Sequence, residues 1–483
     1  MTRPQTLLAL SLLLTTPLLA QSATHTPTTI PALFLSDIHL DPFADPAKVA
    51  RLNASPIAQW PAILTAPASP TQPQDSAALS NACPTRGIDT PNVLWQSSLH
   101  AIRTHAASVR FVTVSGDLLA HSFDCKYKTL LPAATHADYV AFTEKTAAYI
   151  VTGLRATLPG IPVYIALGNN DSACGDYHLD PAHDDLLARL APTVADAAGL
   201  PDADRASLLH DFTTGGYYNV PLADTPHTRL IVLDDIYLSA KYTACSGTPD
   251  PAPGIAQLAW LDAQLADARQ RNERVWVLAH IPPGVDLVAT ARKLTNLCGG
   301  AQMQMFLSSE RLAEVLTNYR DTIHLTLFGH THTDEMHLLT SSTDAKPGIG
   351  VPLKIVASIT PINGNRPTFT VARINPATAN LADYTVFEAS NLTGIATTWS
   401  AEYTYSTAYH QPAFNATAAS TLIADFQSDP SAQTSASQSY LRNYFPGAGN
   451  LTILLQTVWP QYTCSMAHDS AAAFTACACS TAK

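Results

Sequence analysis

The chain has 483 residues, of which 46% are hydrophobic and 13% are charged, and its formal net charge is −11. This length allows one large domain with an appendage, or two domains, and the composition is that of a globular protein rather than a disordered or fibrous one. The modest acidic charge gives no reason to expect nucleic acid as a partner.

The first predicted element is an export signal over residues 1–23. Arg3 precedes a mostly apolar run from Leu7 to Leu19, and small residues follow at Ala20 and Ala23. This pattern is typical of a secretory signal, with a buried N-terminal helix as the alternative, and the run is too short to span a bilayer. No later window is long and apolar enough for a membrane span. We therefore expect a secreted or periplasmic protein without a stable membrane anchor.

Short β-rich runs alternate with helical patterns along residues 24–388, which we interpret as the main domain. The predicted strands span 32–36, 110–115, 162–167, 229–233, 274–279, 323–328, 353–357 and 368–372, and the predicted helices span 93–107, 138–154, 255–271 and 310–319. Strands that alternate with amphipathic helices indicate an α/β fold with a layered sheet core flanked by helices. The Pro-, Ala- and Ser-rich segment 43–91 interrupts this pattern and is interpreted as a long surface excursion.

The pattern changes over residues 389–483. Strand signals fade, and helical patterns rich in Ala, Ser and Thr replace them, including 441–444 and 451–458. We therefore predict a small C-terminal helical subdomain. The chain has eight cysteines, and three of them lie in this segment. An even number in an exported chain predicts disulfides, one of which would anchor the tail, but the sequence leaves their pairing open.

Five predicted strands are each followed by side chains that can coordinate metal ions. These residues are Asp37 and His39 in Asp-x-His, Asp117 in Gly-Asp, Asn169 in Gly-Asn-Asn-Asp, His280, and His330 and His332 in Gly-His-Thr-His. Open α/β sheets place their sites at the carboxyl ends of strands. A single motif of this kind is usually a turn, a helix cap or a packed core residue. Five of them in order are not explained by packing, and they predict a metal site.

The ligand types indicate which metals to expect. Carboxylate and imidazole together suit zinc, iron or manganese, and we expect zinc. Asp117 can bridge two ions with its two oxygens, and a pair of divalent ions can hold both the attacking and the leaving oxygen of an in-line displacement.

This order of motifs resembles the calcineurin-like metallophosphoesterase superfamily. The resemblance implies one ion held by Asp37, His39, Asp117 and His332, and a second ion held by Asp117, Asn169, His280 and His330. Other segments resemble the acid sphingomyelinase-like phosphodiesterase and endopolyphosphatase branch, namely 280–284, 215–218 with 230–234, 358–361 with 365–367, and 462–464 with a downstream Cys477 or Cys479. This branch implies a secreted hydrolase for phosphodiester or phosphoanhydride bonds in small-molecule or lipid substrates.

The residue after Asn169 departs from the pattern of that branch. Most relatives have a histidine where this chain has Asn170, and that histidine is thought to help to protonate the leaving group. An asparagine can donate a hydrogen bond but no proton, so Asn170 favours a leaving group that is already a stable anion, as in endopolyphosphatase-type members. His121 resembles a position proposed to assist the leaving group, and such a role would allow alcohol leaving groups. The alternative is that His121 is a surface histidine or one that orients the metal site.

The remaining candidates have less support. Asp171 is interpreted as a residue that orients the metal site, and His178, His183 and His324 are expected to be solvated or packed. His105 and His136 lie in or beside helical patterns, and their spacing gives no argument for a site. The leading prediction is a phosphodiesterase for sphingomyelin-type or nucleotide-type substrates, and an endopolyphosphatase-like phosphoanhydride hydrolase is the alternative. A non-catalytic binding protein on the same fold is a further alternative, although all seven predicted metal positions carry residues able to coordinate. The oligomeric state stays open.

Overall fold

The structure is a computed structural model that describes residues 29–340, 346–447 and 449–480. The predicted export signal lies outside these residues. In the described part of the chain, no helix is both long enough and apolar enough to cross a membrane.

Two six-stranded sheets form the centre of the fold. The described strands are β1 (Ile30–Leu35), β2 (Val112–Ser115), β3 (Val163–Ala166), β4 (Tyr218–Pro221), β5 (Thr228–Val232), β6 (Arg274–Leu278), β7 (Ile323–Phe328), β8 (Glu335–Leu339), β9 (Val351–Ile355), β10 (Thr368–Asn375), β11 (Asn380–Ala389) and β12 (Trp399–Thr404). The first sheet has the order β12-β11-β10-β1-β2-β3, and the second has the order β4-β5-β6-β7-β9-β8. Strands β1 to β3 are parallel to one another, as are β5, β6, β7 and β9, so their carboxyl ends point in one direction within each sheet.

Helices connect the strands and build most of the C-terminal segment. They are α1 (Val49–Ala54), α2 (Trp60–Leu64), α3 (Gln72–Ala82), α4 (Asn92–His105), α5 (Phe123–Leu130), α6 (His136–Thr157), α7 (Leu186–Ala198), α8 (Asp202–Gly215), α9 (Ala252–Gln270), α10 (Leu287–Thr290), α11 (Arg311–Asn318), α12 (Tyr405–Tyr409), α13 (Ala416–Gln427), α14 (Ser435–Tyr444), α15 (Gly449–Thr457), α16 (Trp459–Ser465) and α17 (Ala471–Ser480). Short 3-10 helices occupy Pro46–Lys48, Ile57–Gln59, Asp235–Leu238 and Ala291–Gly299.

The two sheets pack face to face around buried aromatic side chains. Phe34 of β1 and Phe111 just before β2 both meet the ring of Trp276 of β6 edge to face, at centroid distances of 6.0 and 5.9 Å. The neighbours of Trp276 on β6, Val275 and Val277, point to the opposite face, where they pack in the same cluster as leucines of α9 and α11. This alternation buries both faces of the strand. The predicted α/β class, with a layered sheet core flanked by helices, is confirmed.

The eight predicted strands and four predicted helices are present with shifted ends, but other elements were not predicted. Strands β8, β11 and β12 and helices α7 and α8 are new. Strand β4 pairs antiparallel with β5 in a hairpin. Strand β12 lies within the segment predicted to be helical, and it joins the first sheet at its edge. The boundary at residue 388 stays a prediction.

The segment 43–91 is more than a surface excursion. It contains helices α1 to α3, and Val49, Leu52 and Trp60 are fully buried. The ring of Trp60 packs at 5.3 Å from that of Phe142 on α6. The interpretation of this segment as a surface loop was therefore wrong in part, because its apolar side chains join the main core.

Four disulfides join all eight cysteines: Cys83–Cys125, Cys174–Cys245, Cys298–Cys479 and Cys464–Cys477. The prediction of disulfides is confirmed. One bridge closes a loop within the tail, and another ties the tail to the 3-10 helix Ala291–Gly299. The C-terminal helices are thus covalently attached to the main domain.

Candidate metal centre

Five strand ends meet at one edge of the fold. The first sheet contributes the residues after β1, β2 and β3, and the second contributes the residues after β6 and β7. All seven predicted ligands lie at this place, and they are buried apart from His330, which is half-buried: Asp37, His39, Asp117, Asn169, His280, His330 and His332. The structure therefore brings together every residue that the motif order selected.

The ligand atoms fall into two groups that share Asp117. In the first group, one atom each of Asp37, His39, Asp117 and His332 lies within 4.8 Å of the others. In the second group, one atom each of Asp117, His280 and His330 lies within 4.8 Å of the others. The side-chain oxygen of Asn169 lies 3.1 Å from Nε2 of His280, beside this second group. A cluster of this composition is able to hold metal ions.

The ring orientations of two histidines leave Nε2 facing the centre. Nδ1 of His39 lies 2.7 Å from the carbonyl oxygen of Leu119, and Nδ1 of His280 lies 2.7 Å from that of Ser115. An Nδ1–H that donates to a carbonyl turns Nε2 toward the centre, where loss of the proton on Nε2 makes this atom available as a ligand. Both Nε2 atoms lie 3.3 Å from Oδ2 of Asp117. Nε2 of His39 is buried and makes no hydrogen bond, as expected of an atom that binds a metal ion.

The backbone is strained at five of the predicted ligands. The φ angles are 47° at Asp37, 44° at His39, 54° at Asp117, 74° at His330 and 64° at His332. Residues other than glycine rarely adopt this left-handed region, and each such residue costs about 1–3 kcal/mol. Such strain concentrates at functional sites, where the surrounding structure enforces it. The chain therefore turns sharply at each strand end so that these side chains reach the centre.

Two glycines allow the close approach of these turns. A side chain at Gly168 would collide with the backbone and carboxylate of Asp117. A side chain at Gly329 would collide with Ser36 and with the carboxylate of Asp37. The glycines in the Gly-Asn and Gly-His motifs are thus required by the contacts between neighbouring strand ends.

The electrostatics of the site keep its carboxylates charged. Burial alone would raise the pKa of Asp37, but the adjacent His332 brings it below the usual carboxyl range. The pKa of Asp117 is likewise well below its usual value, because His280 and other histidines outweigh burial. Asp117 in turn outweighs the effect of burial on His280 and raises its pKa to about 10. Burial and the charge of His280 lower the pKa of His330 to about 3. Ionised carboxylates are the form that binds metal.

His121 lies against the first ligand group. Its Nδ1 lies 2.8 Å from Oδ1 of Asp89, and its ring stacks on that of His39 with centroids 4.0 Å apart. A ring nitrogen of His121 also lies within 4.8 Å of ligand nitrogens of His39 and His332. The bond to Asp89 occupies Nδ1 and leaves Nε2 for a ligand or substrate. Burial and the charge of His39 lower the pKa of His121.

Asn170 lies at the centre beside Asp117. Its backbone N–H donates to Oδ1 of Asp117 at 2.8 Å, and its amide Nδ2 donates to Oδ2 at 2.9 Å. The side chain is buried. The carboxamide therefore offers an N–H donor at the point where the two ligand groups meet.

Asp171 connects the turns that follow β2 and β3. It is buried, and its carboxylate accepts hydrogen bonds from the backbone N–H groups of Leu118 and Leu119 at 2.8 and 3.0 Å, and of Gly168 at 2.9 Å. Burial and the charge of Asp117 raise the pKa of Asp171 to about 7. This geometry fits a residue that orients the turns after β2 and β3. His178, His183 and His324 bond elsewhere, to Thr243, Asp180 and Asn380 respectively.

Three residues of the site carried no usable sequence signal. Asp89 binds His121 but lies in the segment 43–91, which has no strand-end motif. Tyr177 places its hydroxyl 3.3 Å from Nε2 of His330, and Glu335 accepts a hydrogen bond from Thr331 between the two ligand histidines at 2.9 Å. Each of them meets the centre through tertiary packing.

The comparisons with known proteins agree with this geometry. A family model described as calcineurin-like phosphoesterase matches residues 30–334. The human cyclic GMP-AMP phosphodiesterase SMPDL3A is 23% identical over 336 residues, which cover 66% of each chain. The mouse acid sphingomyelinase-like phosphodiesterase 3b is 25% identical over 82% of this chain and 79% of its own. An endopolyphosphatase of Schizosaccharomyces pombe is 28% identical over 40% of this chain and 32% of its own.

These relatives match the branch that the motifs resemble, and the chain spans just under two thirds of the length of the human relative. The family model covers more than half of the chain and includes all five strand ends that form the centre. The chain therefore belongs to the calcineurin-like phosphoesterase family of metal-dependent phosphoester hydrolases.

Proposed function

We propose that this chain is a secreted, binuclear-metal phosphodiesterase similar to the acid sphingomyelinase-like phosphodiesterases. The observation that carries the proposal is the pair of ligand groups that share Asp117. Asp37, His39, Asp117 and His332 would hold one ion, and Asp117, Asn169, His280 and His330 would hold the other.

The donor set fits two divalent cations. The buried Nε2 of His39 makes no hydrogen bond, and the carboxylates of Asp37 and Asp117 are ionised. Imidazole, carboxylate and amide oxygen suit zinc, iron or manganese, and we propose zinc. When bound, such a pair of ions supplies an activated water molecule and neutralises charge on the phosphoryl oxygens.

The protein's own residues would complete the reaction. The amide of Asn170 donates a hydrogen bond at the centre and would bind a phosphoryl oxygen. His121 would give a proton to the leaving group from Nε2, while Asp89 holds Nδ1 and fixes the ring. General acid catalysis of this kind contributes about 10²–10⁴-fold for a poor leaving group.

A secreted or periplasmic location is supported by the cysteines. All eight of them form disulfides, and such bonds persist in oxidising compartments.

The substrate class follows from the relatives and from the site. Relatives named as phosphodiesterases for cyclic GMP-AMP and of the acid sphingomyelinase-like type support a phosphodiester of nucleotide or sphingomyelin type. The alternative is an endopolyphosphatase-like phosphoanhydride hydrolase, which Asn170 and the endopolyphosphatase relative favour. A non-catalytic binding protein has less support, since no predicted ligand position has lost its ligand.

A metal-reconstituted activity panel on the purified mature chain tests this proposal. Bis-p-nitrophenyl phosphate, sphingomyelin, ATP and polyphosphate are compared in the wild type and in Asp117→Asn, with circular dichroism to verify folding. We expect hydrolysis of bis-p-nitrophenyl phosphate in the wild type that is lost in the variant. No hydrolysis of any of the four by a wild type that has bound two ions would contradict the proposal and favour the binding protein.

A further inference from the structure

A lysine lies beside the half of the centre that contains His330. The ammonium of Lys241 donates a hydrogen bond to the hydroxyl of Tyr177 at 3.3 Å and lies 4.7 Å from the centre of that ring. The same hydroxyl lies 3.3 Å from Nε2 of His330. One hydroxyl group therefore separates a cationic side chain from a predicted metal ligand.

Lys241 differs from the lysine on the other side of the centre. Lys126 is buried, and its ammonium lies 3.2 Å from Asp41 and 3.5 Å from Asp89, so its charge is already paired. Lys241 is exposed, and within the described residues no carboxylate lies within ion-pair distance of it. The nearby Asp176 is engaged by the amide of Asn169 at 2.6 Å. The charge of Lys241 is therefore available to an anion that enters from solvent.

The position of Lys241 is fixed by contacts between two loops. The Cys174–Cys245 disulfide joins the loop after β3 to the loop that carries Lys241. The backbone N–H of Thr243 donates to the carbonyl of Tyr177 at 3.3 Å, and Nδ1 of His178 lies 2.6 Å from the hydroxyl of Thr243. These bonds hold the lysine over Tyr177 and next to the centre, rather than on a free surface loop.

We propose that Lys241 and Tyr177 form a subsite for a second phosphoryl group of the substrate, adjacent to the one that is hydrolysed. The ammonium and the hydroxyl are both hydrogen-bond donors, and an ammonium binds a phosphoryl oxygen as a point charge. The inference rests on the proposed function, and it names the substrate class as compounds with two neighbouring phosphoryl groups, such as nucleoside polyphosphates. A sphingomyelin-type lipid has a single phosphoryl group and would leave the subsite unused.

Comparative kinetics test the subsite in the metal-reconstituted mature chain. In Lys241→Met, the ratio of kcat/KM for ATP to kcat/KM for bis-p-nitrophenyl phosphate should fall by about 10–100-fold, because a hydrogen bond to a charged group is lost. Lys241→Arg keeps the charge and should retain most of the ratio. Lys128→Met is the matched control, since Lys128 is exposed and pairs with Asp124 at 3.4 Å. An equal change for both substrates in Lys241→Met would overturn the subsite.

Calorimetric titration with inorganic pyrophosphate and with orthophosphate gives a readout that does not depend on turnover. We expect the wild type to bind pyrophosphate at least about 10-fold more tightly than orthophosphate, and Lys241→Met to lose that preference. Absence of the preference in the wild type would overturn the subsite even if bis-p-nitrophenyl phosphate is hydrolysed. Absence of all hydrolysis would contradict the proposed function, and the pyrophosphate preference would still decide on the subsite.

Discussion

His121 and Asp89 form a pair at the edge of the candidate metal centre. The pair comes from segments that the sequence analysis treated differently, because His121 follows a strand-end motif and Asp89 lies in a Pro-rich stretch. The ring of His121 stacks on that of His39, and one of its ring nitrogens lies within 4.8 Å of ligand nitrogens of His39 and His332. Whether this nitrogen matters to the rate depends on how strongly the leaving group needs a proton.

Substitution of His121 by Gln should therefore separate substrates by their leaving groups. For an alkoxide leaving group, as in sphingomyelin, we expect kcat to fall by about 10²–10⁴-fold, with a much smaller fall for a nitrophenolate. The measurement is kcat for both substrates in the wild type and in the variant. Asp89→Asn weakens the hydrogen bond to Nδ1 of His121. This variant should show the same difference in kcat between the two leaving groups, at smaller magnitude. Equal losses for both leaving groups would exclude His121 as the proton donor.

At the residue scale, the structure brings together the predicted ligands that follow strands directly. Asp37, His39 and His332 could be selected because each stands within a short motif at a strand end. Tyr177 could not be selected, since its hydroxyl reaches His330 only through the path of the loop after β3. A contact made by tertiary packing leaves no local pattern in the sequence.

The turns after β2 and β3 act as one element, because Asp171 accepts a hydrogen bond from each of them. Three backbone N–H groups converge on its carboxylate, and all of them are inside the protein. Removal of that carboxylate leaves these donors without a partner. The turns also carry Asp117 and Asn169, so their geometry controls the positions of predicted ligands.

Asp171→Ala should lower the free energy of unfolding by about 3 kcal/mol or more, since each unsatisfied buried donor costs about 1–3 kcal/mol. Urea unfolding of the wild type and the variant measures this difference. Asp171→Asn keeps one acceptor oxygen and should lose less stability than Asp171→Ala. Equal stability of Asp171→Ala and the wild type would show that the turns hold their shape without this carboxylate.

The predictability of an element depended on its place in a sheet. Buried parallel strands such as β2 and β6 are continuous apolar runs, and their sequences predicted them. Strand β12 lies at a sheet edge, with each of its residues exposed or half-buried, so it shows neither an apolar run nor a clear alternation. Helices α1 to α3 were missed because prolines and small residues interrupt the helical pattern of segment 43–91.

At the scale of the whole molecule, the candidate centre joins the two sheets. The first sheet provides Asp37, His39, Asp117 and Asn169, and the second provides His280, His330 and His332. Neither sheet alone carries a complete ligand group, so bound ions would connect the sheets. Ions that bind only the folded chain stabilise it by mass action.

Removal of bound metal should lower the melting temperature of the chain. An ion present at 100 times its dissociation constant stabilises the folded state by about 2.7 kcal/mol. Differential scanning calorimetry of the reconstituted protein, before and after treatment with a chelator, measures the change. Asp117→Asn should respond less to the chelator than the wild type. An unchanged melting temperature in the wild type would contradict a metal link between the sheets.

The C-terminal helices reach the centre through Glu335. Its buried carboxylate accepts a hydrogen bond from Thr331 at 2.9 Å and from the hydroxyl of Tyr462 on α16 at 2.8 Å. Thr331 lies between His330 and His332, so the tail supports the loop that carries two predicted ligands.

Tyr462→Phe should weaken metal binding although Tyr462 touches no predicted ligand. Loss of a residue that supports metal ligands typically costs about 10–100-fold in affinity, and we expect a value near the lower limit. Titration of the metal-free protein with zinc measures the affinity. Tyr405→Phe is the matched control, because Tyr405 is also fully buried and its hydroxyl bonds to a carbonyl of the tail. Equal affinities in Tyr462→Phe and Tyr405→Phe would show that the tail does not act on the centre.

The number of metal ions bound per chain tests the central claim most directly. Mass spectrometry of the reconstituted and dialysed protein determines this number for the wild type and for Asp117→Asn. The shared carboxylate of Asp117 predicts two ions in the wild type and fewer in the variant, with hydrolysis of bis-p-nitrophenyl phosphate lost in parallel. Two ions retained in an active Asp117→Asn, or a wild type that hydrolyses the substrate without two bound ions, would contradict the binuclear centre.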